Sequence, residues 1–293
     1  MPLKKIWAIV REAGQEWMDD NAMRLSAALA FYTILSIAPL LVVAVAIVGS
    51  IFGQEAASGA LTAQLRSQFG DAGAEVATTA LVKSNRPDAG LAATLLSSLF
   101  LIFGASSVFS ELQEALNSAW NVKVKPGRGF WNTIRIRLLS FGTVLLIGLL
   151  LFASVIATVL LAAFGSTLEG RIPGLPAMLN LANVFVGFAF VAILFALLFK
   201  ILPDVRMSWR DVWLGAAVSA FLFTVGKYGI GFYLGRTGIA SPFGAAGSLV
   251  VFVVWLYYSY LILFFGAEVA QVTARHNGRP SIPTECAQTI AAA

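Results

Sequence analysis

AAGSLVVFVVWLYYSYLILFFGAEVAQV, residues Ala245–Val272, holds one charged side chain, Glu268, in 28 positions. The run is longer than the roughly 20 residues a helix needs to cross a ~30 Å hydrocarbon layer. Strict alternation of polar and apolar residues, the mark of a membrane barrel strand, is absent from it. Backbone groups find no water in lipid, so this stretch reads as a membrane-spanning helix.

Four further stretches lack Asp, Glu, Lys and Arg over a comparable length: Leu25–Gln54, Ala89–Ser110, Leu138–Leu168 and Ile172–Phe199. A fifth, Val212–Gly235, is interrupted only by Lys227. Six spans follow: Tyr32–Phe52, Leu91–Ser110, Leu138–Phe164, Met178–Leu202, Val212–Gly235 and Ala245–Val272. Pro87, Pro173, Pro176, Pro203 and Pro242 punctuate their ends. Composition agrees. Of 293 residues, 58% are hydrophobic and 12% charged, about half the charge of a soluble domain. The expected fold is all-α: a polytopic bundle of six transmembrane helices, with interfacial amphipathic helices and a helical extracytoplasmic loop. No cleavable leader is expected, because the first apolar run is too long and lacks a cleavage site.

Basic residues set the orientation. Fourteen of the 20 Lys and Arg fall on the side that carries both termini, and five on the other. The excess places both termini in the cytoplasm of a bacterial inner membrane. The net charge of +5 is thereby assigned to loops facing anionic lipid, not to nucleic acid.

The chain divides into an N-terminal interfacial helix (1–24), the membrane domain (25–272) and a flexible cytoplasmic tail (273–293). In the first, Ile6, Trp7, Val10, Ala13, Trp17 and Met18 recur at helical spacing opposite Lys and Glu, which suits a helix in the headgroup layer. Glu111–Val122, ELQEALNSAWNV, reads as an amphipathic helix with Leu112, Ala115, Leu116, Ala119 and Trp120 on one face. The outer loop 55–88 reads as two short helices, long enough to shape an entrance or meet an envelope-assembly protein.

Ionisable and polar groups inside the spans are the candidate sites. Lys227 lies about 12 Å below the outer end of its span, so it either snorkels or lines a cavity for an anionic headgroup. Tyr228 follows it, beside Gly226 and Gly229. Tyr257, Tyr258 and Tyr260 cluster with Trp255 in mid-span, and unpartnered hydroxyls there are costly, which hints at a wet path. Tyr32 and Ser248 join this group of pathway candidates. The structural or gating candidates are Arg24 and Glu268 as an ion pair, Pro39 as a kink, Asn117, Trp120, Trp255, and the small-residue seam Gly244-x-x-Gly247. Chemistry of other kinds lacks its residues: there is no Walker loop, no HExxH, one histidine (His276) and one cysteine (Cys286). Neither enzyme activity, nor a metal, nor a cofactor is expected, and the oligomeric state is open.

Three strings, Met23–Val43, Glu111–Val122 and Phe243–Gln271, together resemble the BrkB/YihY-like inner-membrane family of bacteria. The resemblance implies about six spans and a link to envelope lipid or lipopolysaccharide export, with membrane lipids as partners. It supplies no catalytic residues. Lipid or amphiphile transport by a flippase-like protein is the expected function. A non-transporting scaffold for envelope assembly, and an ion-coupled carrier or channel, are the alternatives.

Overall fold

The computed structural model describes residues 3–35, 53–63, 110–125, 175–237, 247–279 and 281–289 (286 excepted), with scattered helical positions from 49 to 161. In chain order the helices are α1 (Leu3–Asp19), α2 (Ala22–Leu35), α3 (54–63), α4 (110–119), α5 (Leu175–Ile201), α6 (Trp209–Thr237) and α7 (Gly247–His276). Four short strands accompany them: β1 (Val122–Val124), β2 (Val205–Arg206), β3 (Ile282–Pro283) and β4 (Ala287–Thr289). The protein is an all-α membrane protein. Helices α5, α6 and α7 each contain a stretch long and apolar enough to cross a bilayer: Leu181–Ile201, Trp209–Gly229 and Val250–His276. The ends of the three helices match those of the fourth, fifth and sixth expected spans to within four residues. The second span before Ser110, more than half of the third, the first span beyond Leu35 apart from Gly49, Pro39, Gly244 and most of the outer loop lie outside the described residues.

Local chemistry explains the helix ends. Pro203 cannot continue α5. At the start of α6 the Asp211 and Val212 amides donate to the Ser208 carbonyl, 3.1 and 3.3 Å, and the Asp211 carboxylate sits in the positive first turn. Helix α7 closes in a Schellman motif. Arg279 N donates to Ala274 O, 2.9 Å, Gly278 N donates to Arg275 O, 3.0 Å, and Gly278 has φ 67°. A side chain there would strain the backbone.

Helices α6 and α7 pack along small residues. A Cβ added to Gly215 would sit 2.2 Å from Gly266 O, and one added to Gly266 would sit 1.8 Å from Ser219 Oγ. Further along, a Cβ on Gly226 would fall 2.0 Å from the Tyr258 ring. Backbone contact this close is what glycine permits between membrane helices. The seam is thus built from Gly215, Ser219, Gly226 and Gly266. Gly247, expected in a seam, is the first residue of α7. Helix α4 caps the bundle with its apolar face: Leu116, Trp120 and Ala119 are buried against Phe199, Leu202 and Val212.

Two expectations change here. The N-terminal segment is not one helix to residue 24. It breaks after Asp19, where Asn21 takes φ 53°, and Arg24 belongs to α2. The tail is not a free end. β4 pairs antiparallel with β1, Val122 opposite Thr289, and β3 pairs with β2, Val205 opposite Pro283. Ala287 is buried in the main core. Backbone hydrogen bonds across four strands hold the segment, and short uncharged runs such as Ala287–Thr289 gave no periodic signal of it.

Candidate functional site

The polar groups collect at the end of α7 that carries Glu268. Glu268 is 1% exposed. The expected Arg24 partner is exposed instead and makes no ion pair with it. The side chain of Glu268 is hydrogen-bonded to that of Asp20, in the turn between α1 and α2. Two carboxyls brought together repel each other unless one is protonated. Burial lifts the Asp20 carboxyl above its usual range; Glu16 and Asp19 push the same way and the bond to Glu268 opposes them. Gln271, with its amide nitrogen turned to them, donates to Glu268 Oε2, 2.9 Å, and to the Ala119 carbonyl. Arg275, one turn later, donates to both Glu12 and Glu16 of α1. Lys5 Nζ donates to Asn277 Oδ1, 3.0 Å. Helix α1 is therefore fixed along α7 by charge on one side and by Ile9 and Ala13 against Val269 and Val272 on the other.

A second polar centre lies under α4. Asn117 Nδ2 and Gln113 Nε2 donate to Asp204 Oδ2, 3.0 and 3.1 Å, and the Asp204 amide donates back to Asn117 Oδ1, 2.7 Å. All three side chains are buried. The tail joins in: Thr284 N donates to Asp204 O, 2.9 Å. Arg279 and Asn277 both donate to Asp211 Oδ1, 3.0 and 3.1 Å, and Asp211 is fully buried. Asp204 and Asp211 were missed in the sequence. Their signal was present: Asp204 follows Pro203 at the end of an apolar run, and Asp211 stands three residues after Ser208, as a capping acid does.

Aromatic rings join the two sides of the bundle. Trp120 meets Phe199 at 6.2 Å between centroids, Phe199 meets Phe195 at 6.0 Å, and Phe195 meets Phe223 at 6.2 Å. Phe223 meets Trp255 at 5.2 Å, and Trp255 meets Tyr258 at 6.0 Å. Trp120, which the sequence sets apart from the mid-span cluster of Trp255 and Tyr258, is thus joined to them by one chain of rings from the end of α4 through α5, α6 and α7. Such pairs favour tilted and edge contacts, as seen here.

Two of the three mid-span tyrosine hydroxyls meet other helices. Tyr258 OH donates to the Leu222 carbonyl, 3.0 Å. Thr33 Oγ1 donates to Leu29 O, 2.7 Å, so the 2.6 Å contact with Tyr260 is donated by the tyrosine. Both hydroxyls are satisfied between helices. Tyr257 is half-buried, whereas Tyr32 and Tyr228 are exposed. Lys227 is half-buried, one residue after the Gly226–Tyr258 contact, and forms no ion pair among the described residues. The side chain of Ser248 lies outside the described residues.

Comparison with known proteins follows from this frame. The model of the family described as Virulence factor BrkB matches residues 13–288. The chain belongs to the BrkB family. A UPF0761 membrane protein of Ralstonia nicotianae is 27% identical over 270 residues, covering 91% of this chain and 58% of the relative. One of Tolumonas auensis is 30% identical over 182 residues, 60% of this chain and 56% of the relative. One of Nitrosospira multiformis is 31% identical over 180 residues, 60% and 40%. The chain thus spans about half the length of these curated relatives. No solved structure matches. In this BrkB-family chain the matched segment includes Asp20, Asn117, Asp204, Lys227 and Glu268.

Proposed function

We propose that this BrkB-family protein moves a lipid or other anionic amphiphile across a bacterial inner membrane, with both termini in the cytoplasm. The observation that carries the reading is Lys227: a cation within an apolar helix, half-buried and without an acidic partner among the described residues. A charge kept in a span at such cost points to a substrate path. An anionic headgroup is its natural counter-ion, and Tyr228 and Phe221, exposed on the same helix, offer apolar surface to acyl chains. No catalytic role is assigned to any residue. The test is transbilayer movement of a labelled phospholipid in vesicles holding the purified protein. Lys227→Gln should slow it tenfold or more; movement equal to the unmodified protein's would remove the basis of the reading.

A second reading, an ion-coupled carrier, is favoured by the juxtaposed carboxyls of Asp20 and buried Glu268 at the membrane end of α7. Proton uptake by vesicles should then fall in Asp20→Asn and Glu268→Gln. Uptake that both variants leave untouched would confine the pair to holding α1 on α7.

A further inference from the structure

Helix α1 has two faces with different fates. At 3.6 residues per turn, Lys5, Glu12 and Glu16 share the face toward the end of α7, with Ile9, Ala13 and Asp20 beside them. Every acid on that face is engaged: Glu12 and Glu16 by Arg275, and Asp20 by Glu268. The opposite face is open. Trp7 is 71% exposed and Met18 66%. Trp7 and Met18 fall nearly on one line along the helix, and Lys4 and Arg11 border it, each about one turn from Trp7. Both cations are exposed, and neither forms an ion pair among the described residues. Asp19, near the far end of the helix, is the one acid of α1 left outside. The fold has turned the acids of α1 inward and left cations beside an uncovered tryptophan.

Position adds a second line. The 30 residues of α7 make ~45 Å of helix, about 15 Å more than the hydrocarbon core. Helix α1 runs along the second half of α7, from Asn277, which accepts from Lys5, to Leu261, whose carbonyl accepts from Trp17 Nε1, 3.2 Å. Its first turns therefore lie beside the last turn of α7 and Asn277, at the level where α7 leaves the core. That is the depth at which Trp settles between acyl chains and water.

The geometry assigns the outward face of α1 to the headgroup layer, with Trp7 and Met18 among the upper acyl chains and Lys4 and Arg11 on the phosphates of anionic phospholipids. Charge complementarity selects the occupant: two unpaired cations flanking an apolar stripe match an anionic lipid surface. A zwitterionic surface would leave the cations without a net counter-charge.

The test uses the full chain with Cys286→Ser and Trp7→Cys, labelled with a small fluorophore at position 7, in bilayers of phosphatidylcholine. Brominated phosphatidylglycerol or brominated phosphatidylcholine is added at equal mole fraction. The label should be quenched several-fold more strongly by the phosphatidylglycerol, and high salt should bring the ratio to about one. Lys4→Gln with Arg11→Gln should do the same without lowering thermal stability, since neither side chain holds α1 on α7. The salt arm needs no variant and stands if the double variant fails to fold. Equal quenching by both lipids at low salt overturns the anionic selection. Absence of quenching by either, with position 7 open to a membrane-impermeant thiol reagent, overturns the assignment altogether. Crosslinking of position 7 between copies would hand the face to a second molecule of this chain.

Discussion

Asn117 and Asp204 hold each other through both ends: the amide nitrogen of one reaches the carboxylate of the other, 3.0 Å, while the backbone amide of Asp204 returns to Asn117 Oδ1, 2.7 Å. The pair ties α4 to the turn between α5 and α6, residues 87 apart in the chain. Removing Asn117 leaves a buried carboxylate short of a donor and a buried amide short of an acceptor. Asn117→Ala should therefore cost about 3 kcal/mol. Asn117→Asp, which sets a second negative charge against Asp204, should cost at least as much. Thermal unfolding in detergent reads both; a change below about 1 kcal/mol in either would contradict the geometry.

The glycine seam gives a graded series. Gly266→Ala meets Ser219 Oγ at 1.8 Å and Gly226→Ala meets the Tyr258 ring at 2.0 Å, whereas Gly229 has nothing within 4 Å. The first two should destabilise by about 2–3 kcal/mol as α6 and α7 are forced apart. Gly229→Ala should be neutral or stabilise by up to ~1 kcal/mol through helix propensity. Melting temperatures ordered otherwise would mean that the two helices do not cross here.

The Asp20–Glu268 pair makes stability depend on pH with a defined sign. The Asp20 carboxyl is raised in the folded protein, chiefly by burial. A raised acid stabilises fully below its unfolded value, ~3.9, and that contribution is lost as pH climbs through the raised value. The unmodified protein should lose stability across this window, and Asp20→Asn should flatten the slope. Melting temperature against pH in both proteins checks it, and an Asp20→Asn profile as steep as the original would exclude Asp20 as the cause.

The tail should guard the basic turn after α4. Lys125 Nζ donates to the Glu285 carbonyl, 3.1 Å, and β4 covers β1. Ala287→Asp puts a charge into the core cluster and should open the strand pair. Trypsin cleavage after Lys123 should then speed up at least tenfold, with α5, α6 and α7 still intact. Cleavage at the original rate would show that β4 does not shield β1.

How much of this was legible in the sequence varies with the range of the cause. The helices α5, α6 and α7 were legible because lipid imposes one rule on every residue of a span. The apolar face of α4 was legible because Leu112, Leu116 and Ala119 repeat at the helical period. Arg24 as the partner of Glu268 was a reasonable pairing of opposite charges at one depth. The break at Asn21 rotates Arg24 outward and brings an acid in its place, and no periodicity carries that information. The ring chain from Trp120 to Tyr258 runs through Phe195, Phe199 and Phe223, which look like any other apolar residue of their spans. The partners of Tyr258 and Tyr260, a carbonyl of α6 and Thr33 of α2, come from other helices and leave no mark in the local sequence.

The pairing of β1 with β4 also sets an order of assembly. Val122 and Thr289 face each other across 167 residues of chain. At least three long apolar helices, α5, α6 and α7, are synthesised between them, and each can enter the bilayer before β4 exists. Until then β1 presents an open edge beside the exit of α4. Insertion and closure are thus separate events, and the second cannot begin until translation has passed the last of those helices.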